Sequence, residues 1–194
     1  MRSSRSEYAR VRERLANARN RLQGSARARL SGAERFGKRP VILGKVSFRL
    51  DGRASFGEWF VAEGLVVAIK ISVAKTATLS IGNYVYMNAG TSIEAWNDVQ
   101  IGDHVLMAPF ASIIDNDRHE TEPGAVLYKG PTIVGNNVWL GRNAAIMPGV
   151  TVGDGSVIGV NSVVTKDIPP NSFAAGAPAR VIRKLEIPSG WVRR

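Results

Sequence analysis

Two histidines, His104 and His119, and no cysteine supply the near-neutral acid–base chemistry available to this chain. His119 lies in a polar run, Asp115-Asn116-Asp117-Arg118-His119-Glu120, followed by the turn signals Pro123-Gly124 and Gly130-Pro131. Imidazole is the side chain that ordinarily exchanges a proton near neutral pH, and a nearby carboxylate can fix its tautomer and orientation. His119 therefore reads as a loop general base; the alternative is a polar surface loop with an incidental histidine. His104 follows Ile101-Gly102-Asp103 at a solvent-facing turn and reads as surface structure. The missing cysteine excludes a disulfide framework, thiolate metal ligands and a cysteine nucleophile.

The elements that must position His119 announce themselves as a repeat. From Val134 an aliphatic residue returns at every sixth position: Val134, Leu140, Ile146, Val152, Ile158, Val164. Two residues before each stands a small or β-branched residue, Thr132, Val138, Ala144, Val150, Ser156 and Ser162. The next position is often glycine: Gly135, Gly141, Gly153, Gly159. Earlier, Val61, Val67 and Val73 share the spacing, as do Ile81, Met87, Ile93 and then Ile101, Met107, Ile113. Steps of eight separate these triplets, which suggests three sides per coil with a two-residue insertion at one corner. A helix would repeat at three and four, and a half-buried strand at two. A period of six predicts a short strand plus a turn, wound into a three-sided solenoid whose aliphatics stack coil on coil. The glycine is expected to supply positive φ or close backbone approach at the corner. The alternative is a sandwich of short strands. Between Ile113 and Val134 the pattern stops, and insertions in solenoids emerge as loops.

With 44% hydrophobic residues in 194 the chain can bury a core. No apolar run reaches the length of a membrane span, and the N-terminus lacks the apolar centre of a secretory signal. The net charge of +10 is uneven: residues 1–40 hold 12 Lys/Arg against three Glu, and the remaining 154 hold 14 basic and 13 acidic groups. The high pI thus reads as the property of an appendage. Within it Tyr8, Val11, Leu15, Ala18 and Leu22 follow helical spacing among arginines, predicting a basic amphipathic helix that continues to Gly24 or Gly32. Such a helix can lie on anionic lipid or pack over the end of the solenoid. With one aromatic residue and no motif, the leader gives no sign of nucleic-acid binding.

Long motifs now point to a family. Val134-Gly135-Asn136-Asn137-Val138-Trp139-Leu140-Gly141, Pro148-Gly149-Val150-Thr151-Val152-Gly153-Asp154, Ser162-Val163-Val164-Thr165-Lys166-Asp167-Ile168-Pro169-Pro170 and Ala175-Gly176-Ala177-Pro178-Ala179-Arg180-Val181-Ile182-Arg183 resemble the hexapeptide-repeat acyltransferases. The likeness is to the maltose/galactoside and polysaccharide O-acetyltransferase branch and covers roughly residues 61–185. It implies a mainly β protein: a left-handed parallel β-helix over 40–185, a catalytic loop over 114–131, a basic N-terminal segment over 1–39 and a short tail over 186–194. It also implies a homotrimer with sites in the clefts between prisms. His119 matches the general base, and acetyl-CoA would be a co-substrate rather than a tightly bound cofactor. Trp139, Gly141, Arg142, Gly159 and Val160 fall where the family holds the pantetheine arm, and Thr165, Lys166, Arg180 and Arg183 where it holds the phosphates. Asn88 matches an acceptor-site residue, with Asp117 beside the base. The family's acidic acceptor residue is replaced near Trp96, and the Gly-His-Pro form of the loop is absent. The acceptor implied is a hydroxyl on a sugar, polysaccharide or lipid-linked saccharide, in the cytoplasm or at the inner membrane face.

Three alternatives stand beside this reading: an amine acceptor, a non-catalytic β-helix scaffold, and a γ-type carbonic anhydrase. The last needs three histidine ligands where this chain has two, so no metal is expected.

Overall fold

The computed structural model describes residues 18–120, 122–125 and 130–193. Helix α1 (Ala18–Leu30) leads into β1 (Arg35–Phe36), β2 (Val41–Leu50), β3 (Arg53–Phe56), β4 (Val61–Val73), β5 (Thr78–Ile81), β6 (Tyr86–Met87), β7 (Ser92–Ala95), β8 (Asp98–Ile101) and β9 (Leu106–Met107). Then come β10 (Ser112–Ile114), β11 (Thr132–Val134), β12 (Trp139–Leu140), β13 (Ala145–Ile146), β14 (Thr151–Val152), β15 (Val157–Ile158), β16 (Val163–Val164), β17 (Ser172–Gly176) and β18 (Ala179–Lys184).

These strands build the left-handed β-helix with three faces. Face A is the ladder β1-β3-β5-β8-β11-β14. Face B runs β6-β9-β12-β15-β17, and face C runs β7-β10-β13-β16; β2 and β4 are long enough to bend from face B into face C. Corner 1 joins A to B, corner 2 joins B to C, and corner 3 returns from C to A.

The hexads predict the interior. Ile81, Ile101, Val134 and Val152 stack in register on face A, and Met87, Met107, Leu140 and Ile158 on face B. Ile93, Ile113, Ile146 and Val164 stack on face C. All twelve are buried. At about 1.5–3 kcal/mol per buried aliphatic side chain, these columns are the main favourable term in holding adjacent coils together. Thr132, Val138, Ala144, Val150, Ser156 and Ser162 are buried as well, at the positions the pattern reserves for small side chains.

Two expectations need correction. Val67 does not point inward: 39% exposed, it belongs to a protrusion in β4 with Leu65 and Val66, and Ile69 takes the interior position. The pairing of β2 with β4 shifts register here, from Gly44↔Gly64 to Val46↔Ile69, so β4 carries extra residues round corner 2. The glycine after each aliphatic works by close approach, without positive φ: a Cβ on Gly141 would sit 2.7 Å from the Ile158 carbonyl oxygen. Left-handed backbone falls two residues later, at Tyr84, His104, Asn137, Asn143 and Asn161 among others.

At the N-terminal end the interior is aromatic. Phe36 stacks on Phe56 at 4.4 Å, and Phe60 and Phe48 meet Phe56 edge-on. Helix α1 packs on the edge strand β2. Gly24 is buried against the Pro40 carbonyl, and the Arg27 guanidinium donates to the Ile42 and Gly44 carbonyl oxygens at 3.2 and 2.9 Å. Unpaired edge carbonyls are thereby satisfied. The expected helical positions Tyr8, Val11 and Leu15 lie outside the described residues. No helix among the described residues is long and apolar enough to cross a membrane.

Candidate active site

Corner 3 is where the coils differ most, and the 114–131 loop leaves from it between β10 and β11. Its base is fastened by Asp115, which is fully buried. One carboxylate oxygen accepts the Trp96 N–H and the other the Asn97 N–H, each at 2.7 Å. Asp115 is thus a strut rather than a free carboxylate for His119. Buried Thr132 closes the neck, its hydroxyl donating to the Ile114 carbonyl oxygen at 3.3 Å and accepting the Gly149 N–H at 3.0 Å. Arg118, in left-handed backbone, lays its guanidinium 4.6 Å over the Trp96 ring. His119 and Glu120 then stand exposed, with Asp117 half-buried beside them. Thr165 and Lys166 occupy the same corner two coils further on, at a separation of about 10 Å along the axis.

The remaining sequence-predicted residues lie elsewhere. Asn88, Gly141, Arg142, Gly159 and Val160 line corner 2. There Asn88 Oδ1 accepts the Ala89 N–H at 2.7 Å, and Arg142 lies 5.9 Å from the Phe110 ring. Trp139 projects from face B, 44% exposed, in register with Leu106 and Val157. On β18, Arg183 sits 5.8 Å from the Phe173 ring, and Arg180 donates to the Ala179 carbonyl oxygen. A single prism therefore divides the set. Face C separates corner 2 from corner 3, and the four residues of β7 alone span about 13 Å of it.

Two hollows border these groups. One, of about 720 Å³, lies between face B and the tail; Trp139, Val157, Phe173, Arg183, Pro188 and Trp191 line it. The tail is fastened to corner 1, where Asn137 donates to the Trp191 carbonyl oxygen (3.1 Å) and accepts the Arg193 N–H (2.8 Å). Burial pushes the Arg193 guanidinium below its ordinary pKa. The second hollow, of about 620 Å³, runs along face C beside the loop base and includes Ser47, Lys70, Ser72, Glu94, Trp96 and Arg118. Of these, the sequence singles out only Arg118, within the loop run, and the position of Trp96. The signal was there: Ile69-Lys70-Ile71-Ser72-Val73 alternates strictly, setting Lys70 and Ser72 on the outer face. Among the described residues no group of three His, Cys, Asp or Glu could hold a metal.

Residues 131–166 match the profile described as bacterial transferase hexapeptide (six repeats). Galactoside O-acetyltransferase of Escherichia coli is 46% identical over 112 residues, 56% of this chain and 55% of its own length. The chain thus spans about half the length of that curated relative. Among solved structures, a galactoside acetyltransferase in complex with coenzyme A is 30% identical, covers 87% of this chain and 82% of its own, and superposes with a TM-score of 0.57. AntD, an N-acyltransferase from Bacillus cereus, superposes with a TM-score of 0.69 at 20% identity over 84% of this chain and 88% of its own, a likeness of fold alone. Repeat, coil and identity over most of both chains agree: this protein belongs to the hexapeptide-repeat, left-handed β-helix acyltransferase family.

Proposed function

We propose that the protein transfers an acetyl group from acetyl-CoA to a saccharide hydroxyl, with His119 as general base. The observation that carries this reading is a lone loop histidine at the interrupted corner of a coil aligned over most of its length with a coenzyme A-bound galactoside acetyltransferase. The imidazole removes the hydroxyl proton as the oxygen attacks the thioester carbonyl. The tetrahedral oxyanion is stabilised by backbone N–H donors, the C–S bond breaks, and the thiolate recovers the proton from the imidazolium. The products are an O-acetyl ester and free coenzyme A, with no covalent acyl-enzyme.

The exposed face of Trp139, the close-packed Gly141 and Gly159, Arg142 and the exposed Val160 suit a pantetheine arm; Thr165, Lys166, Arg180 and Arg183 suit the phosphates. Asn88 and Asp117 are assigned to the acceptor. Because face C separates Asn88 from His119, the reading calls for a homotrimer in which corner 2 of one protomer faces corner 3 of the next. The exposed Leu65, Val66, Phe110 and Val160 give corner 2 an apolar ridge for such a contact. The enzyme would act in the cytoplasm, where acyl-CoA is made, and the seating of α1 on β2 favours an end-cap role over a lipid anchor.

The test is thiol release from acetyl-CoA with a panel of saccharide and amine acceptors, beside His119→Ala. A His119→Ala protein that keeps its assembly and near-wild-type turnover removes the catalytic assignment; transfer to amines alone replaces the hydroxyl reading.

A further inference from the structure

The hollow on face C has a chemistry that narrows the acceptor, building on the acetyl-transfer reading above. Its floor is a flat β-face whose outward positions form two columns. Ser47, Lys70, Ser92 and Ser112 stand in register, and beside them Arg49, Ser72 and Glu94. Successive coils are about 4.8 Å apart, a spacing close to one pyranose ring. Further along, the first column turns apolar, at Ala145 and Val163, and the second at Ile114. Hydroxyls and charges are therefore confined to the coils that lead up to the His119 loop. Trp96, 37% exposed, and the Arg118 guanidinium over it close the side toward the loop.

The charges in this groove are unbalanced. Arg49 is paired with Asp51 at 3.1 Å. Lys70, Lys75 and Glu94 also line it, and none of the three has an ion-pair partner among the described residues. With Arg118 the groove is net positive. Covering two ammonium groups with a neutral sugar removes water from them and returns no counter-charge, which is costly. An acceptor carrying carboxylate or phosphate groups supplies that charge. The first coils have the same sign: residues 41–75 hold five basic and three acidic side chains, and residues 76–194 hold nine and ten. The positive charge is thus not confined to the N-terminal appendage; it continues onto the first coils and attracts anions toward the groove.

We propose that the acceptor is a negatively charged saccharide, bound along face C over Lys70 and Ser72 with its reactive hydroxyl directed to the His119 loop. The test is calorimetric binding to the full-length protein of three probes: trigalacturonate, its methyl-esterified neutral form, and a phosphorylated oligosaccharide of similar length. At least one charged probe should bind tenfold or more tightly than the neutral form and weaken steeply from about 50 to about 300 mM salt. Lys70→Gln and Lys75→Gln, both at exposed positions, should each lower that affinity several-fold with unchanged thermal unfolding. The two charged arms distinguish carboxylate from phosphate as the recognised group. Equal affinity for charged and neutral forms, salt-independent binding, or no binding of either charged probe overturns the proposal. Binding needs no transfer, so charged probes that bind while no member of the acceptor panel releases thiol refute the acetyl-transfer reading and leave face C as a site for anionic saccharides. Thiol release onto neutral glycans with no preference for charge does the reverse.

Discussion

Corner 1 and corner 3 of the same prism are built by opposite rules. At corner 1 each coil makes the same four-residue turn with its third residue in left-handed backbone: Arg39, Trp59, Tyr84, His104, Asn137, Gly155. The residue before it supplies a side-chain oxygen to the previous coil. Asn83 accepts the Glu58 N–H, Asp103 the Asn83 N–H, Asn136 the Asp103 N–H and Asp154 the Asn136 N–H, at 2.6–2.9 Å. Outside this ladder the rings of Trp59, Tyr84 and His104 stack, the last two at 4.7 Å and 2° from parallel. At corner 3 the connections vary in length, one becomes the long loop, and Asn97 Nδ2 is buried with no hydrogen-bond partner among the described residues. At the repetitive corner no buried side-chain polar atom among the described residues lacks a partner. Irregularity opens space and leaves groups in want of partners. The chain's two histidines fall one on each side of this divide.

The largest effect should come from His119→Ala, a loss of about 10²- to 10⁴-fold in turnover of acetyl-CoA, read as free thiol. It would assign chemistry to the irregular corner, and an unchanged rate would erase the contrast. Asp115→Ala takes the acceptor from the part-buried Trp96 and Asn97 N–H groups and should cost about 2 kcal/mol in urea unfolding, with loss of activity as the loop base loosens. If stability holds while activity falls, Asp115 acts in the reaction and not as a strut. Lys166→Ala should raise the Michaelis constant for acetyl-CoA about fivefold with little change in kcat, the mark of a uniform binding contact. Asn136→Ala removes one rung of corner 1 and should cost about 1 kcal/mol with full specific activity. His104→Ala should be smallest. It gives up one ring stack, worth about 0.5–1.5 kcal/mol, and keeps activity. A His104→Ala protein that is stable but inactive would show that the regular corner also carries function.

The columns of the prism were legible because each inward aliphatic from Ile81 onward has only one role, to meet its equivalent one coil away. Val67 misled for a physical reason. A period of six counts residues, and the extra residues after Gly64 move the frame without leaving an apolar gap. Glycine after the aliphatic was also half understood: close approach needs the missing Cβ there, whereas the left-handed turn falls on asparagine or on an aromatic that stacking stabilises. The loop and His119 stood out as an interruption. That Asp115 faces inward could not be read from a run of four acidic residues among neighbours of equal polarity. The groove over Lys70 and Ser72 escaped because it belongs to no motif, and only the register of three coils brings its residues side by side.

A solenoid has two raw ends, and each would accept another strand. Here α1 lies across β2, and β18 runs antiparallel to β17 and presents Arg180, Arg183 and Lys184 on its exposed stretch. A reversed, cationic last strand is a poor template for the parallel coil of another molecule. On face B, then, addition of another molecule's coil is disfavoured at this end. Truncation at either terminus would be expected to yield polymers before it yielded an unfolded chain.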